Sequence, residues 1–179
     1  MRILNLHGFM GKADNRTYSA LCKLMPKEDI VSPSLDFMNE SPQELLEKLA
    51  TKIEDEHINI VIGQSLGGFY ALPLAISFGI PCILTNPCFF PAETGVIVNS
   101  ELSRDILEEY RKNSDISFYS KAYILISDND TIIPGNLEKC KAITPNIRQV
   151  EGMHSNIKNL KEELSEILKI LNEYEGKGE

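Results

Sequence analysis

Six short apolar runs punctuate the chain: Arg2–Leu6, Asp29–Ser32, Ile58–Ile62, Pro81–Thr85, Lys121–Ser127 and Asn146–Val150. Most are rich in Ile, Val and Leu and show little polar alternation. That pattern belongs to strands buried on both faces of a parallel sheet, because half-solvated strands alternate. Longer stretches with apolar residues at helical spacing separate the runs. The clearest is Pro42–His57, where Ser41 caps, Pro42 suits the first turn and Glu44 completes a capping box. Leu45, Leu46, Leu49 and Ile53 give it one apolar face. A last helix over about Asn156–Tyr174 carries Ile157, Leu160, Leu164, Ile167, Leu168 and Leu171 on one side, and the tail Glu175–Glu179 reads as solvated coil. Asn15–Met25, Leu66–Phe78 and Asn136–Ala142 are further helical stretches.

Repeated strand–helix–strand units with right-handed crossovers predict an α/β fold, a three-layer, doubly wound, mainly parallel six-stranded sheet. At 179 residues the chain suits one domain, 1–179. One connection is unusually long. Asn86–Ser120 carries a helix near Glu101–Lys112 with the stripe Leu102, Ile106, Leu107 and Tyr110. It is either a small lid or a connection that covers the sheet, and the sequence admits both.

Several function classes are disfavoured. The net charge is −8 and Lys and Arg form no stripe, which argues against nucleic acid and anionic membrane as partners. No apolar segment is long enough to span a bilayer, and Met1-Arg2 runs directly into the first strand without a secretory signal. Cys22, Cys82, Cys88 and Cys140 lack metal spacing and read as free thiols of a reducing cytoplasm, so no metal or other cofactor is expected.

The chemistry gathers at strand ends. Gly63-Gln64-Ser65-Leu66-Gly67 fits G-x-S-x-G, follows an apolar run and opens a helical pattern. That context is what a strained strand-to-helix turn with an exposed serine Oγ requires. Gly63 and Gly67 would let strand and helix approach closely. A glycine-rich turn that binds phosphate is the plainer reading of this stretch alone. After the first strand comes His7-Gly8-Phe9, and an acyl-transfer site needs two backbone N–H donors for its oxyanion. Leu66, after the serine, and Phe9, in this earlier loop, are the candidates; His7 reads as a loop histidine bonded to backbone. After the fifth strand lie Asp128 and Asp130. Asp130 is preferred to orient a histidine because Thr-Ile-Ile-Pro would anchor its loop. After the sixth comes His154, preceded by serine and acid in the order Ser–Asp–His; His57 ends a helix and merely complements its dipole.

The stretches "LNLHGFMG", "VIGQSLGGFYALPLA", "PCILTNPCFFP", "DNDTIIP" and "EGMHS" resemble the α/β-hydrolase superfamily, and within it the small bacterial esterases of the YqiA-like family. The resemblance implies strand order 2-1-3-4-5-6 and a sheet without the superfamily's first two strands. It implies Ser65 as nucleophile, Asp130 as acid and His154 as base. It further implies hydrolysis of short-chain esters or thioesters through an acyl-enzyme. Where the family's oxyanion loop often carries small and polar residues, this chain has Met10-Gly11-Lys12. Phe9, Met10, Phe69, Phe89 and Phe90 are candidates for an acyl pocket, and Cys88 reads as a packing thiol. The alternatives are a non-catalytic binding protein on a hydrolase scaffold and an acyltransferase using the same triad.

Overall fold

A computed structural model of the protein describes residues 1–114 and 116–175. Six parallel strands form one sheet: β1 (Ile3–Leu6), β2 (Ile30–Val31), β3 (Ile60–Gln64), β4 (Cys82–Thr85), β5 (Ala122–Ser127) and β6 (Ile147–Val150), in the order β2-β1-β3-β4-β5-β6. This is the order the resemblance implies, and each strand lies within two residues of its apolar run.

Side chains alternate across the sheet although both faces are buried. Leu4, Leu6, Val61, Leu84, Ala122, Ile124 and Ile126 join one core. It is covered by α2 (Pro42–Asp55), α3 (Leu66–Phe78), α5 (Arg104–Asn113) and α6 (Asn136–Lys141). Ile3, Ile60, Ile62, Ile83 and Leu125 join the other core, beneath α1 (Arg16–Leu21) and α7 (Leu160–Glu175). The three layers are thus written in a period-two code within runs that look uniformly apolar.

The caps hold the expected helices. Ser41 Oγ accepts from Glu44 N–H at 3.2 Å and the Glu44 carboxylate accepts from Ser41 N–H at 2.8 Å, closing the box at the start of α2. α3 is apolar almost all round, with nine of its thirteen residues buried, as befits a helix enclosed between sheet, α2 and the long connection. The coil expected at Glu175–Glu179 falls, after Glu175, outside the described residues. Among the described residues no helix is long and apolar enough to cross a membrane.

The connection 86–120 does two jobs. Its first half, a 3₁₀ turn at Pro91–Glu93 followed by α4 (Gly95–Val98), borders the cavity described below. Its second half, α5, packs on the helical layer. There Tyr110 meets Phe69 edge to face, and its hydroxyl pairs with that of Tyr70 at 2.7 Å. Several short elements, α4 among them, escaped the sequence reading. β7 (Gly152–Met153) and β8 (Asn156–Ile157) form a small antiparallel hairpin before α7, so Ile157 belongs to β8 and not to the last helix.

Candidate active site

Strand register brings the chemistry to one edge of the sheet. Leu6 aligns with Gly63, Gln64 with Thr85, and Ser127 with Val150. The loops that follow β1, β3, β4, β5 and β6 therefore start side by side at their carboxyl ends, where open parallel sheets bind ligands.

Ser65 sits between β3 and α3 at φ 50°, ψ −118°, a conformation that strongly disfavours a residue with a Cβ. The surroundings impose it. Ser65 N–H donates to Thr85 O at 3.0 Å, and Ser65 O accepts from Gly68 N–H and Cys88 N–H at 2.8 and 2.9 Å. Ser65 occupies the N-cap position of α3, yet its side chain caps no backbone N–H, leaving the hydroxyl for another partner. The approach of α3 to β1 explains Gly67: a Cβ there would lie 2.4 Å from Leu6 O and 2.8 Å from His7 O. Both obstacles are backbone, so neither can swing aside. Gly67→Ala is expected to destabilise the protein by about 3 kcal/mol, read as a lowered urea midpoint at unchanged slope.

The Ser65 hydroxyl lies 2.8 Å from His154 Nε2, and His154 Nδ1 lies 2.8 Å from Asp130 Oδ2. His154 is carried at the turn of the β7–β8 hairpin. Asp130 is fixed from its other oxygen, which accepts from the Ile132 and Ile133 N–H groups at 2.9 and 3.1 Å. The Asp130 side chain is only 5% exposed. Burial works to raise its pKa, but the hydrogen bonds and charge of His154 and the two loop N–H groups outweigh it and hold the carboxyl below its usual range. A carboxylate only accepts, so the proton of a neutral His154 sits on Nδ1. Nε2 is then left to accept from the serine hydroxyl. Asp128 goes elsewhere: it is exposed and its Oδ1 accepts from Gly152 N–H at 3.0 Å, tying down the hairpin.

The β1 loop completes one side. A Cβ on Gly8 would stand 2.9 Å from Ser65 Cβ, so only glycine lets the loop reach the serine. His7 is buried and bonded to backbone, as its position suggested. Its Nε2 accepts from Leu35 N–H at 2.9 Å, which leaves Nδ1–H to donate to Gly8 O at 2.8 Å. Gly11 N–H also donates to Gly8 O, closing a turn over Phe9 and Met10, the latter at φ 56°. Among the described residues the N–H groups of Phe9 and Leu66 have no hydrogen-bond acceptor.

Ser65, His154 and the Gly8–Gly11 loop line a cavity of about 570 Å³. Phe9, Met10, Val96, Ile97 and Ile132 supply its apolar lining; Lys12, Asp14, Asn15, Arg16 and Gln64 supply much of the polar one. Of the aromatic pocket candidates, Phe9 lines it and Phe69, Phe89 and Phe90 do not. Phe69 is one turn into α3 and is buried against Tyr70 and Tyr110, with ring centroids 5.2 and 5.1 Å away. Phe89 and Phe90 line a separate hollow of about 390 Å³, where the Lys139 ammonium lies over the Phe90 ring at 4.1 Å. Cys88 is buried against Thr94 Oγ1 at 3.2 Å, and burial pushes its thiol up to about 11, which suits a packing group. His57 precedes β3 and so lies at the opposite edge of the sheet.

One residue was missed as a participant. Asn86 follows β4, is fully buried, and adopts φ 43°. Its Nδ2 donates to His154 O and to Ser127 Oγ, both at 2.8 Å, and its Oδ1 accepts from Ser127 N–H at 2.7 Å. Ser127 Oγ in turn donates to Met153 O at 3.0 Å. The backbone that presents His154 is thus clamped from the end of β4 and β5. The available signal was a polar residue directly after a buried strand, beside a proline.

Sheet order, sharp serine turn and histidine loop together define an α/β-hydrolase fold, and solved structures agree. The type II thioesterase BorB from the borrelidin biosynthetic cluster is 17% identical, over 97% of this chain and 90% of that one, at TM-score 0.62. The esterase domain of a Rhodothermus marinus protein is 15% identical over 97% and 85%, also at 0.62. An extracellular alpha/beta-hydrolase from a Paenibacillus species is 11% identical over 96% and 98%, again at 0.62. At such identities the likeness is one of fold. The chain belongs to the uncharacterised protein family UPF0227, the YqiA-like family, whose model matches residues 2–172.

Proposed function

We propose that the protein is a serine hydrolase that cleaves short-chain acyl esters or thioesters through an acyl-enzyme. The unbroken hydrogen-bonded path from Ser65 Oγ through His154 to Asp130, with both links at 2.8 Å, carries this reading. The esterase and thioesterase descriptions of two neighbours are consistent with it.

Ser65 Oγ attacks the acyl carbon while its proton passes to His154 Nε2. The imidazolium that forms is stabilised by the Asp130 carboxylate, which also keeps Nδ1 protonated. The oxyanion is bound by the N–H groups of Phe9 and Leu66, at the N-terminus of α3. Collapse breaks the bond to the leaving oxygen or sulfur, and His154 returns the proton to that atom. Water then attacks the Ser65 ester with His154 again as base, releasing the acid. Loss of one oxyanion donor costs roughly 3–4 kcal/mol of barrier in comparable sites.

Turnover of p-nitrophenyl esters and acyl thioesters of increasing chain length, with mass-spectrometric detection of products, tests the proposal. Free acid as the product, with or without added alcohol, is the expected result. A new ester formed from the alcohol in preference to acid would make the protein an acyltransferase, and no acyl product from any substrate would leave the scaffold to a binding role.

The Asn86 clamp gives a separate expectation. Glycine accepts φ 43° without strain, so Asn86→Gly removes the hydrogen bonds and spares the backbone. The variant should lose about 10- to 100-fold in kcat at nearly constant KM, because His154 is misplaced while the cavity is retained. A purely structural role would appear as a lowered thermal midpoint with kcat intact.

A further inference from the structure

The charged part of the Ser65 cavity comes from one segment, Lys12–Arg16. It contributes two cations and one carboxylate, Asp14, in a chain whose net charge is −8. Among the described residues neither cation has an ion-pair partner. The other nearby carboxylate, Asp130, is 5% exposed and committed to His154 and its own loop. An unpaired guanidinium and ammonium lining a cavity are a ready receptor for a phosphate or carboxylate.

Arg16 also has a defined direction. Its Nη2 donates to Ile157 O at 3.4 Å, on the strand paired with β7, so the guanidinium lies against the hairpin that presents His154. It shares with His154, Ser155 and Gln64 a narrow recess beneath that hairpin. In the proposed reaction His154 delivers its proton to the leaving atom, so the leaving group departs on the His154 side. The apolar residues Val96, Ile97 and Ile132 come from other segments and suit an acyl chain.

From this arrangement we propose that the substrate's leaving group carries a negative charge, a phosphate or a carboxylate, held by Arg16 and Lys12 at the cavity mouth. The proposal rests on the hydrolase reading for the direction of departure. It names the substrate class as acyl esters or thioesters of anionic alcohols or thiols.

The test uses esters matched in the chain length of their acyl group. They are p-nitrophenyl butyrate (neutral), 4-butyryloxybenzoate and 4-butyryloxyphenyl phosphate (anionic leaving groups), and mono-p-nitrophenyl succinate (anionic acyl group). Intrinsic reactivities differ, so the readout is how far the Lys12→Ala/Arg16→Ala double variant shifts each anionic-to-neutral ratio of kcat/KM. The ratio for at least one anionic leaving group should fall about tenfold, mainly through KM, and the arm that falls further distinguishes phosphate from carboxylate. Added salt should erode the same preference in the wild type. An unchanged ratio for both leaving-group anions overturns the proposal, as does a fall confined to the succinate ester. A binding measurement separates this from failure of the hydrolase reading. On a Ser65→Ala background, which cannot turn over, calorimetric titration with 4-butyryloxyphenyl phosphate and with 4-butyryloxybenzoate should give at least one Kd about fivefold weaker when Lys12 and Arg16 are also removed. Equal Kd values for both probes count against the anion site whether or not any ester is hydrolysed.

Discussion

Replacing Ser65 with alanine should lower kcat for a p-nitrophenyl ester by roughly 10⁵-fold, leaving only the catalysis that binding and the oxyanion donors supply. KM should change little, because the serine hydroxyl contributes to chemistry more than to binding. Glycine at the same position separates reactivity from strain. Both variants lose the hydroxyl and its bond to His154, but only glycine adopts φ 50°, ψ −118° freely. In ordinary backbone glycine is the less stable choice. Here Ser65→Gly should exceed Ser65→Ala by about 1 kcal/mol, or about 2–4 °C in Tm for a chain of this size. Equal catalytic loss with reversed stability order would show that the fold holds this turn against its preference in order to present Oγ.

The second large effect belongs to Asp130. In Asp130→Asn, the amide oxygen is required by the Ile132 and Ile133 N–H groups, so the amide NH₂ is turned toward His154. It would donate to Nδ1, drive the proton to Nε2 and deprive Ser65 of its base. A loss of roughly 10³- to 10⁴-fold in kcat is expected. Asp128→Asn keeps an acceptor for Gly152 N–H and should change kcat less than about twofold. The reverse ranking would sink the assignment. The pH dependence of stability follows from the same contacts. Because the folded-state pKa of Asp130 is depressed, its stabilising contribution is fully present above the unfolded carboxyl value and is lost as pH falls through the folded one. The Tm difference between wild type and Asp130→Asn should therefore be widest near neutral pH and narrow below about pH 4.

The frame was legible because it is built from long, repeated signals. Six apolar runs and the capping box at Ser41 needed no tertiary information, and the strand-end positions of Ser65, Asp130 and His154 followed from the strand–loop order. Short elements were not legible. The two-residue strands β7 and β8 have no period to detect, so Ile157 was read into the helix that follows. Aromatic lining held at Phe9 but failed at Phe69 for a related reason. Phe69 is four residues beyond Ser65 in sequence, but one helical turn carries it away from the cavity and against Tyr110. Closeness in sequence to a reactive residue says little about which cavity a side chain reaches. Asn86 shows the limit from the other side: its partners, Ser127 and the backbone of His154, are supplied by distant strands and become visible only in three dimensions.

Covalent labelling tests the central claim most directly. Intact protein treated with a fluorophosphonate should gain one adduct, and peptide mapping should place it on Ser65. Labelling should vanish in Ser65→Ala and slow greatly in His154→Ala, where the base is gone. Wild-type protein that stays unlabelled while folded, or an adduct that maps to another residue, would contradict the account.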